Sequence, residues 1–276
     1  MNRHILLVLG VLGLAAAAPS VAAAQVAAPS TVFIEAMTWM EIRDEIAAGK
    51  TTILIPTAGT EQNGPHMVMG KHRFIIEHAA NEIARTLGNA LVSPAFTYVP
   101  EGQWGENARG HMRMPGTITL PEEWFQELLT HTAKSHAAGG FTDIVFLGDS
   151  GGNQNGMRTV TEQLNAEWAG TGTRAHFIGD YYTKSSDDIN AWLRGLGYTD
   201  DQIGSHAGMV DTSQLLFVAP SQIRSELRVA QGGFDGSGVS GDPSLANAEL
   251  GQHMMRIKID NALAQIRAGM GAGGDR

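Results

Sequence analysis

Short, wholly apolar segments alternate with amphipathic segments along most of the chain, and this alternation restricts the possible folds most strongly. The segments TTILIP (51–56) and TDIVFLG (142–148) are typical of strands buried on both faces. Amphipathic helical patterns separate such strands. Strands joined by helices of roughly 12 to 18 residues need crossover connections, which produce a mostly parallel sheet. The sequence therefore predicts one three-layer α/β/α domain.

Local signals place the ends of several elements. Thr38 and Glu41 form a capping box before a helix that closes near Gly49. A helical pattern of apolar residues ends at Gly88, and Pro121 opens another helix. Further strands are predicted at ALVSPAF (90–96) and AHFIGDYY (175–182). The helix that Pro121 opens is predicted to end near residue 138, and another helix is predicted at about 157–168.

The first 24 residues have the layout of a secretory signal peptide: a basic start, an apolar stretch of about a dozen residues, and small residues before Gln25. A membrane anchor is the alternative, but the apolar stretch is short for a span. We expect a linker at 25–32, the domain at 33–268 and a disordered tail at 269–276. The mature protein is expected to be periplasmic or secreted, and it has no cysteine.

The formal net charge of -9 comes from interspersed acids and bases, and no run of Lys or Arg is present. A surface that binds nucleic acid needs such a basic footprint. We therefore expect no nucleic-acid partner and, once the signal peptide is removed, no membrane contact.

Three polar segments follow or precede apolar ones: TAGTEQNGPHMVMGKH (57–72), GDSGGNQNG (148–156) and SHAGMVDTS (205–213). Ligands bind to open α/β sheets at the carboxyl ends of the strands. The first two segments leave strands at that edge. The three segments are therefore predicted to converge on one pocket.

Each segment on its own allows an ordinary structural interpretation. Glu61, His66 and His72 suit a divalent metal, but HExxH is absent and a hydrogen-bonded turn is the alternative. The stretch GDSGG matches G-x-S-x-G, so Ser150 is a candidate nucleophile with His206 downstream. The glycines around His206 allow either close approach of a substrate or a simple turn.

Together, the segments resemble the creatininase (creatinine amidohydrolase) family, whose members carry E-Q-H-G-P-H-L-P-x-x-T-D, N-G-H-G-G-N and H-A-G-E-x-E-T-S. The equivalents here are EQNGPHMVMGKH (61–72), GDSGGN (148–153) and HAGMVDTS (206–213). HMRMPGTITL (111–120) and GVSGDPSLANAELGQ (238–252) also resemble family motifs, so the resemblance spans Phe33 to Ala268. It implies two divalent metals at the carboxyl edge of the sheet, hydrolysis of a C–N bond and a hexamer.

The family's ligand positions are only partly kept. Glu61 is retained, whereas Asn63, His72, Ser150 and Met209 stand where the family has His, Asp, His and Glu. We therefore expect a single Zn or Mn held by Glu61, His72 and Asp149, a carboxylate that is new beside the lost His. Glu61 and His206 are the predicted catalytic residues, His206 as acid and base by resemblance. The predicted substrate-binding residues are Asn63, His66, Ser150, Asn153, Asp211 and Trp104.

The resulting functional hypothesis is an exported, metal-dependent hydrolase of an amide, lactam or lactone, acting on a small molecule and forming a homo-oligomer. Creatinine is not the expected substrate, because the ligand set is altered. Two alternatives stay open. One is a catalytically silent periplasmic binding protein on the same fold, and the other is a metal-independent hydrolase that uses Ser150 or a pair formed by Glu61 and His206.

Overall fold

A computed structural model describes residues 30–229 and 233–271. The predicted signal peptide and residues 25–29 of the predicted linker lie outside the described residues, as do residues 272–276. The strands are β1 (Thr52–Thr57), β2 (Ala90–Val92), β3 (Gly102–Gln103), β4 (Arg109–Gly110), β5 (Asp143–Gly148) and β6 (Arg174–Phe177). The helices are α1 (Trp39–Ala47), α2 (Lys71–Leu87), α3 (Glu122–Ala138), α4 (Gln154–Glu167), α5 (Thr183–Gly195), α6 (Asp200–Ile203), α7 (Met209–Val218), α8 (Gly233–Ser237) and α9 (Ala248–Gly271).

Four strands form a parallel sheet in the order β2-β1-β5-β6. Strands β1 and β5 pair along their whole length, from Thr52 opposite Asp143 to Thr57 opposite Gly148. The chain moves from β1 to β2 on one side of the sheet and from β5 to β6 on the other. The order therefore reverses between β1 and β5, and the crevice beyond their carboxyl ends is the expected ligand position in such a sheet.

Helices cover both faces of the sheet because β1 is apolar on both sides. Leu54 packs on one face with residues of α2 and α9. Ile53 and Ile55 pack on the opposite face with residues of α3 and α4. The prediction of a three-layer domain with a mostly parallel sheet is confirmed.

Most predicted boundaries agree with the structure, and the exceptions have local causes. The capping box of Thr38 and Glu41 is present, and Gly88 adopts the left-handed conformation that ends α2. Strand β2 is shorter than expected, since Pro94 interrupts it. Strand β6 ends at Phe177, and a 3₁₀ turn follows.

The last helix, α9, continues through Gly271, three residues beyond the predicted end of the domain. Residues 269–271 are therefore helical and do not belong to a disordered tail. Within residues 30–229 and 233–271, no helix has both the length and the apolar character needed to cross a bilayer.

Candidate active site

A cavity of about 770 Å³ opens at the reversal point of the sheet. Glu61 reaches it from the loop after β1, and Asp149 from the residue after β5. His72 enters from the first turn of α2, and His206 from the segment before α7. These four side chains come from three separate stretches of the sequence and line one cavity. The elements that carry them bring together the polar segments that the sequence singled out.

His72 joins two carboxylates on the cavity floor. Its Nε2 lies 2.7 Å from Glu61 Oε1, and its Nδ1 lies 2.7 Å from Asp149 Oδ2. Burial and the nearby Lys71 charge lower the pKa of His72, but the two carboxylates outweigh them and raise it to about 9. At neutral pH the ring is therefore an imidazolium that donates from both nitrogens.

The charges around Glu61 and Asp149 keep both groups ionised. Burial raises the pKa of Glu61, but the charges of His72 and Lys71 outweigh it and hold the pKa well below its usual value. Burial likewise raises the pKa of Asp149, but Lys258 and His72 outweigh burial, so the net pKa is below its usual value. A paired carboxylate is stabilised in this way even without access to water.

Lys71 is the first residue of α2, and its side chain is only 1% exposed. Its Nζ lies 2.9 Å from Asp211 Oδ2 and 3.4 Å from Glu61 Oε1. Burial lowers the pKa of Lys71, but the two carboxylates raise it above the ordinary value. The ammonium group is therefore a permanent cation in the wall of the cavity.

Lys258 supplies a second buried ammonium group, from the middle of α9. Its Nζ donates to Asp149 Oδ1 and, at 3.3 Å, to Gln214 Oε1. The hydroxyl of Tyr181 donates to the same Asp149 oxygen at 3.0 Å, and the ammonium lies 4.6 Å from the centre of the tyrosine ring. Asp149 is thus fully engaged by partners from three other elements.

Glu61, His111 and His206 form a group that could hold a metal ion. One ligand atom from each lies within 4.8 Å of the other two. His111 Nε2 lies 3.3 Å from Glu61 Oε2, and His206 Nδ1 lies 3.7 Å from Glu61 Oε1. Two imidazoles and one carboxylate are a common ligand set of catalytic zinc, which keeps a further position open. The donor chemistry of these residues therefore fits a divalent ion.

Hydrogen bonds fix which nitrogen of each imidazole carries the proton. His206 Nε2 donates to the carbonyl oxygen of Gln62 at 2.9 Å, which leaves the lone pair on Nδ1, facing Glu61. Gln62 Oε1 accepts from the Gly64 amide, so its NH₂ group donates to His111 Nδ1 at 3.2 Å. His111 could bind an ion through Nε2 only after its proton moves to Nδ1 and the Gln62 amide turns over.

The structure corrects the predicted ligand set of Glu61, His72 and Asp149. The three side chains do meet, but they bond to one another, and both nitrogens of His72 donate to carboxylates. In this arrangement neither nitrogen of His72 presents a free lone pair to the cavity. The group with ligand geometry contains Glu61 with His111 and His206, so His206 is placed as a possible ligand as well as a possible acid and base.

Glu101 lies beside Glu61 in the cavity wall, and its side chain is buried. Burial and the neighbouring Glu61 carboxylate raise the pKa of Glu101 to about 9. Its Oε1 has no hydrogen-bond partner among the described residues. Glu101 is therefore a neutral carboxylic acid at pH 7, next to an ionised one.

Close backbone packing positions His206. The segment 205–208 lies against Ser240, which donates from its amide to the His206 carbonyl at 2.8 Å. Ala207 has a φ of 50°, a region that residues with a side chain rarely occupy. Asp211 Oδ2 accepts from the Ala207 amide at 2.8 Å and so holds this strained turn. A Cβ atom at Gly208 would overlap the carbonyl oxygen of Ser240, so any side chain there would force the segment to shift.

Ser150 lines the cavity, but it lacks the features of a nucleophile elbow. Its φ of -117° and ψ of 147° are ordinary extended values, whereas the elbow serine sits on a strained turn. Among the residues that the structure describes, no imidazole bonds to the Ser150 hydroxyl. The geometry gives no support to a serine nucleophile.

The other predicted substrate-binding residues divide into three groups: one lines the cavity, three are fully buried and one is exposed. Asp211 lines the cavity. Asn63 and Asn153 are fully buried below it, where Asn63 Nδ2 donates to the Glu61 carbonyl and Asn153 Nδ2 to the Ala58 carbonyl. His66 is also fully buried, 2.8 Å from the Thr212 hydroxyl. Trp104 is 75% exposed and does not line the cavity, which corrects its predicted role. Asn63, His66 and Asn153 shape the loops that carry the site.

Sequence reasoning missed Lys71, His111, Glu101 and Lys258. His111 begins the recognised segment HMRMPGTITL, so a signal existed for it. Lys71 lies inside the first polar segment, next to His72. Lys258 gave no signal, because a lysine on an amphipathic helix normally faces water.

Known proteins share both the sequence pattern and the fold. A mycofactocin precursor peptide peptidase of Mycobacterium ulcerans (strain Agy99) is 26% identical over 240 residues, which cover 78% of this chain and 84% of that protein. A creatinine amidohydrolase of Pseudomonas putida is 29% identical over 112 residues, which cover 38% of this chain and 42% of that protein. A solved structure described as creatininase Mn superposes with a TM-score of 0.70 at 20% identity, over 87% of this chain and 98% of that one.

A family model described as creatinine amidohydrolase matches residues 35–266, which is most of the chain. The names of the relatives are those of hydrolases, and the low identity to creatinine amidohydrolase gives no indication of creatinine specificity. The predicted family and the predicted class of enzyme are confirmed. The chain belongs to the creatininase family.

Proposed function

We propose that this protein is an exported hydrolase that cleaves the C–N bond of an amide or lactam, with one divalent ion, Zn or Mn, at Glu61, His111 and His206. One observation carries the proposal. These three residues place their ligand atoms within 4.8 Å of one another on the wall of a cavity of about 770 Å³. Such a volume lies within the range of sites for small molecules.

An ion held by this group would supply Lewis acidity, which polarises a carbonyl and makes water a stronger acid. The protein's own residues prepare the position. His72 donates to Glu61 Oε1, so the carboxylate cannot rotate freely and directs Oε2 toward His111. The Gln62 carbonyl orients His206 in the same way. Such outer hydrogen bonds fix the geometry of ligand side chains before a substrate arrives.

Glu101 is the residue best placed to hold a proton for the leaving nitrogen. Its carboxyl group lines the cavity beside Glu61, and in the metal-free protein burial and Glu61 raise its pKa to about 9. A buried carboxylic acid next to an ionised carboxylate is a recurrent arrangement for general acid catalysis. In this proposal water adds to the amide carbon while Glu101 gives its proton to the amine as the C–N bond breaks. The carboxylate left on Glu101 then takes up the proton that water loses.

The remaining wall of the cavity favours a substrate that is larger than a single small ring and uncharged at its far end. Ser186 and Asn190 lie one turn apart on α5, and Tyr182 lies just before the helix, four residues ahead of Ser186. Ile189 and Val210 add apolar surface. These are hydrogen-bonding and apolar groups without charge. We expect an extended neutral amide to bind there, and we expect no turnover of creatinine.

The experiment combines metal analysis with turnover of a panel of neutral amides and lactams by the full-length protein. We expect about one Zn or Mn per chain, and loss of both metal and turnover in His111→Ala and His206→Ala. His131→Ala is the matched control, since His131 is exposed on α3 away from the cavity. Metal-free protein that turns over the panel would exclude the metal site, and bound substrate without turnover would indicate a binding protein.

Export and assembly are separate parts of the proposal. The basic, apolar and small-residue order of residues 1–24 supports cleavage before Gln25. Mass measurement of protein recovered from the periplasm or medium of an expressing bacterium tests this, and an intact N-terminus would contradict it. Sedimentation of the mature protein tests the expected homo-oligomer. A strictly monomeric protein would contradict it.

A further inference from the structure

The ammonium group of Lys71 lies beside Glu61, the carboxylate of the proposed metal-binding group. Its Nζ is 3.4 Å from Glu61 Oε1, and His206 Nδ1 is 3.7 Å from the same oxygen. The side chain of Lys71 is 1% exposed and cannot move into water without displacing its surroundings. Glu61 therefore faces two fixed cations, Lys71 and the His72 ring 2.7 Å from the same oxygen, together with a group of metal-ligating atoms.

The neighbouring carboxylates offer no spare negative charge to an incoming ion. Asp211 accepts from Lys71 at 2.9 Å, and Asp149 accepts from Lys258. Each of these buried acids thus already has an ammonium partner. Because like charges repel strongly where water is excluded, a dication beside Glu61 must overcome the charge of Lys71.

We propose that Lys71 is an internal competitor of the divalent ion at Glu61: its ammonium group neutralises Glu61 and Asp211 when no metal is bound and weakens the binding of metal. The proposal depends on the ligand set of the proposed function. It assigns to Lys71 a positioning role, since the residue acts through Glu61 and touches no substrate in this assignment.

Backbone hydrogen bonds hold both Lys71 and its partner Asp211 in place, so the competition is permanent. Lys71 begins α2, and the amide of Lys71 donates to the Val68 carbonyl at 3.2 Å, which fixes the start of the helix. Asp211 is itself held by the Ala207 amide. The ammonium is therefore kept between two carboxylates whose own positions are fixed, and an ion at Glu61 would share that carboxylate with it.

The test is the affinity of chelator-treated, full-length protein for Mn²⁺ and for Zn²⁺, measured by isothermal titration and by metal content after dialysis. Lys71→Met removes the charge and is expected to bind either ion about tenfold or more tighter than the wild type. Lys71→Arg keeps the charge and is expected to stay within about twofold. Lys184→Met, at an exposed lysine of α5, is the control for loss of a positive charge elsewhere.

Lys71→Gln serves if Lys71→Met does not fold, because its amide can still donate to Asp211 without carrying charge. Unchanged or weaker metal binding in a folded, uncharged Lys71 variant would overturn the proposal. Failure of the ligand set gives a different result. Wild-type metal binding that persists in Glu61→Gln and His111→Ala would contradict the assigned site, whatever the Lys71 variants do.

Discussion

His72 Nε2 lies 2.7 Å from Glu61 Oε1, with both side chains buried at the floor of the cavity. The opposite nitrogen of the ring bonds to Asp149. A cationic ring thus links the ends of β1 and β5 at the point where the strand order of the sheet reverses. This link stabilises the fold as well as shaping the site, and because the ring is charged, the stability of the protein depends on pH.

The first prediction concerns this pH dependence. The pKa of His72 is raised to about 9 in the folded protein, against about 6.5 in an unfolded chain. The stabilisation is therefore fully present below about pH 6.5 and is lost as pH rises toward about 9. Its full size is about 3 kcal/mol. Thermal unfolding of chelated wild type and His72→Gln should show a difference that shrinks across this window, and a constant difference would contradict the prediction.

The second prediction concerns Lys258, whose ammonium group is the direct partner of the buried Asp149. Lys258→Met leaves a buried carboxylate short of one cation, which should lower the free energy of unfolding by about 3 kcal/mol. Adding Asp149→Asn should recover part of this loss, because the unpaired charge is then gone. Urea unfolding of the two single variants and the double variant measures the coupling, and simple additivity would show that the pair is not coupled.

How far could the sequence alone lead to this site? The two apolar strands were predicted because residues buried on both faces leave a continuous apolar run. Glu61 and Asp149 then followed from topology, since they come shortly after adjacent parallel strands. The fold and the meeting of the polar segments were therefore accessible without coordinates.

The chemistry of the site was not accessible in the same way. Whether His72 binds a metal or bridges two carboxylates depends on its position relative to Glu61 and Asp149 within a fraction of an ångström. Lys258 lies 109 residues from Asp149, and only the packing of α9 brings it to the cavity. Such contacts follow from tertiary packing and not from local sequence pattern.

The third prediction separates close packing from conformational strain near His206. Gly208 has a φ of -86°, outside the left-handed region that favours glycine, and an added Cβ would overlap the Ser240 carbonyl oxygen. Gly208→Ala should therefore cost about 2 kcal/mol and displace His206. Gly195→Ala on α5 meets open space and should be neutral or slightly stabilising. Equal unfolding midpoints for the two variants would refute the packing argument.

The last prediction concerns the mechanism that the sequence left open at Ser150. Its backbone is extended and its hydroxyl lacks an imidazole partner among the described residues. His206, the candidate base, instead donates to the Gln62 carbonyl. Ser150→Ala should therefore keep kcat within about fivefold of the wild type, whereas removal of a true serine nucleophile costs several orders of magnitude. Glu101→Gln is the informative comparison, because it removes the proton that Glu101 holds and should lower kcat about 100-fold or more. A large loss in Ser150→Ala, with Glu101→Gln nearly unaffected, would reverse the two assignments and restore the serine mechanism.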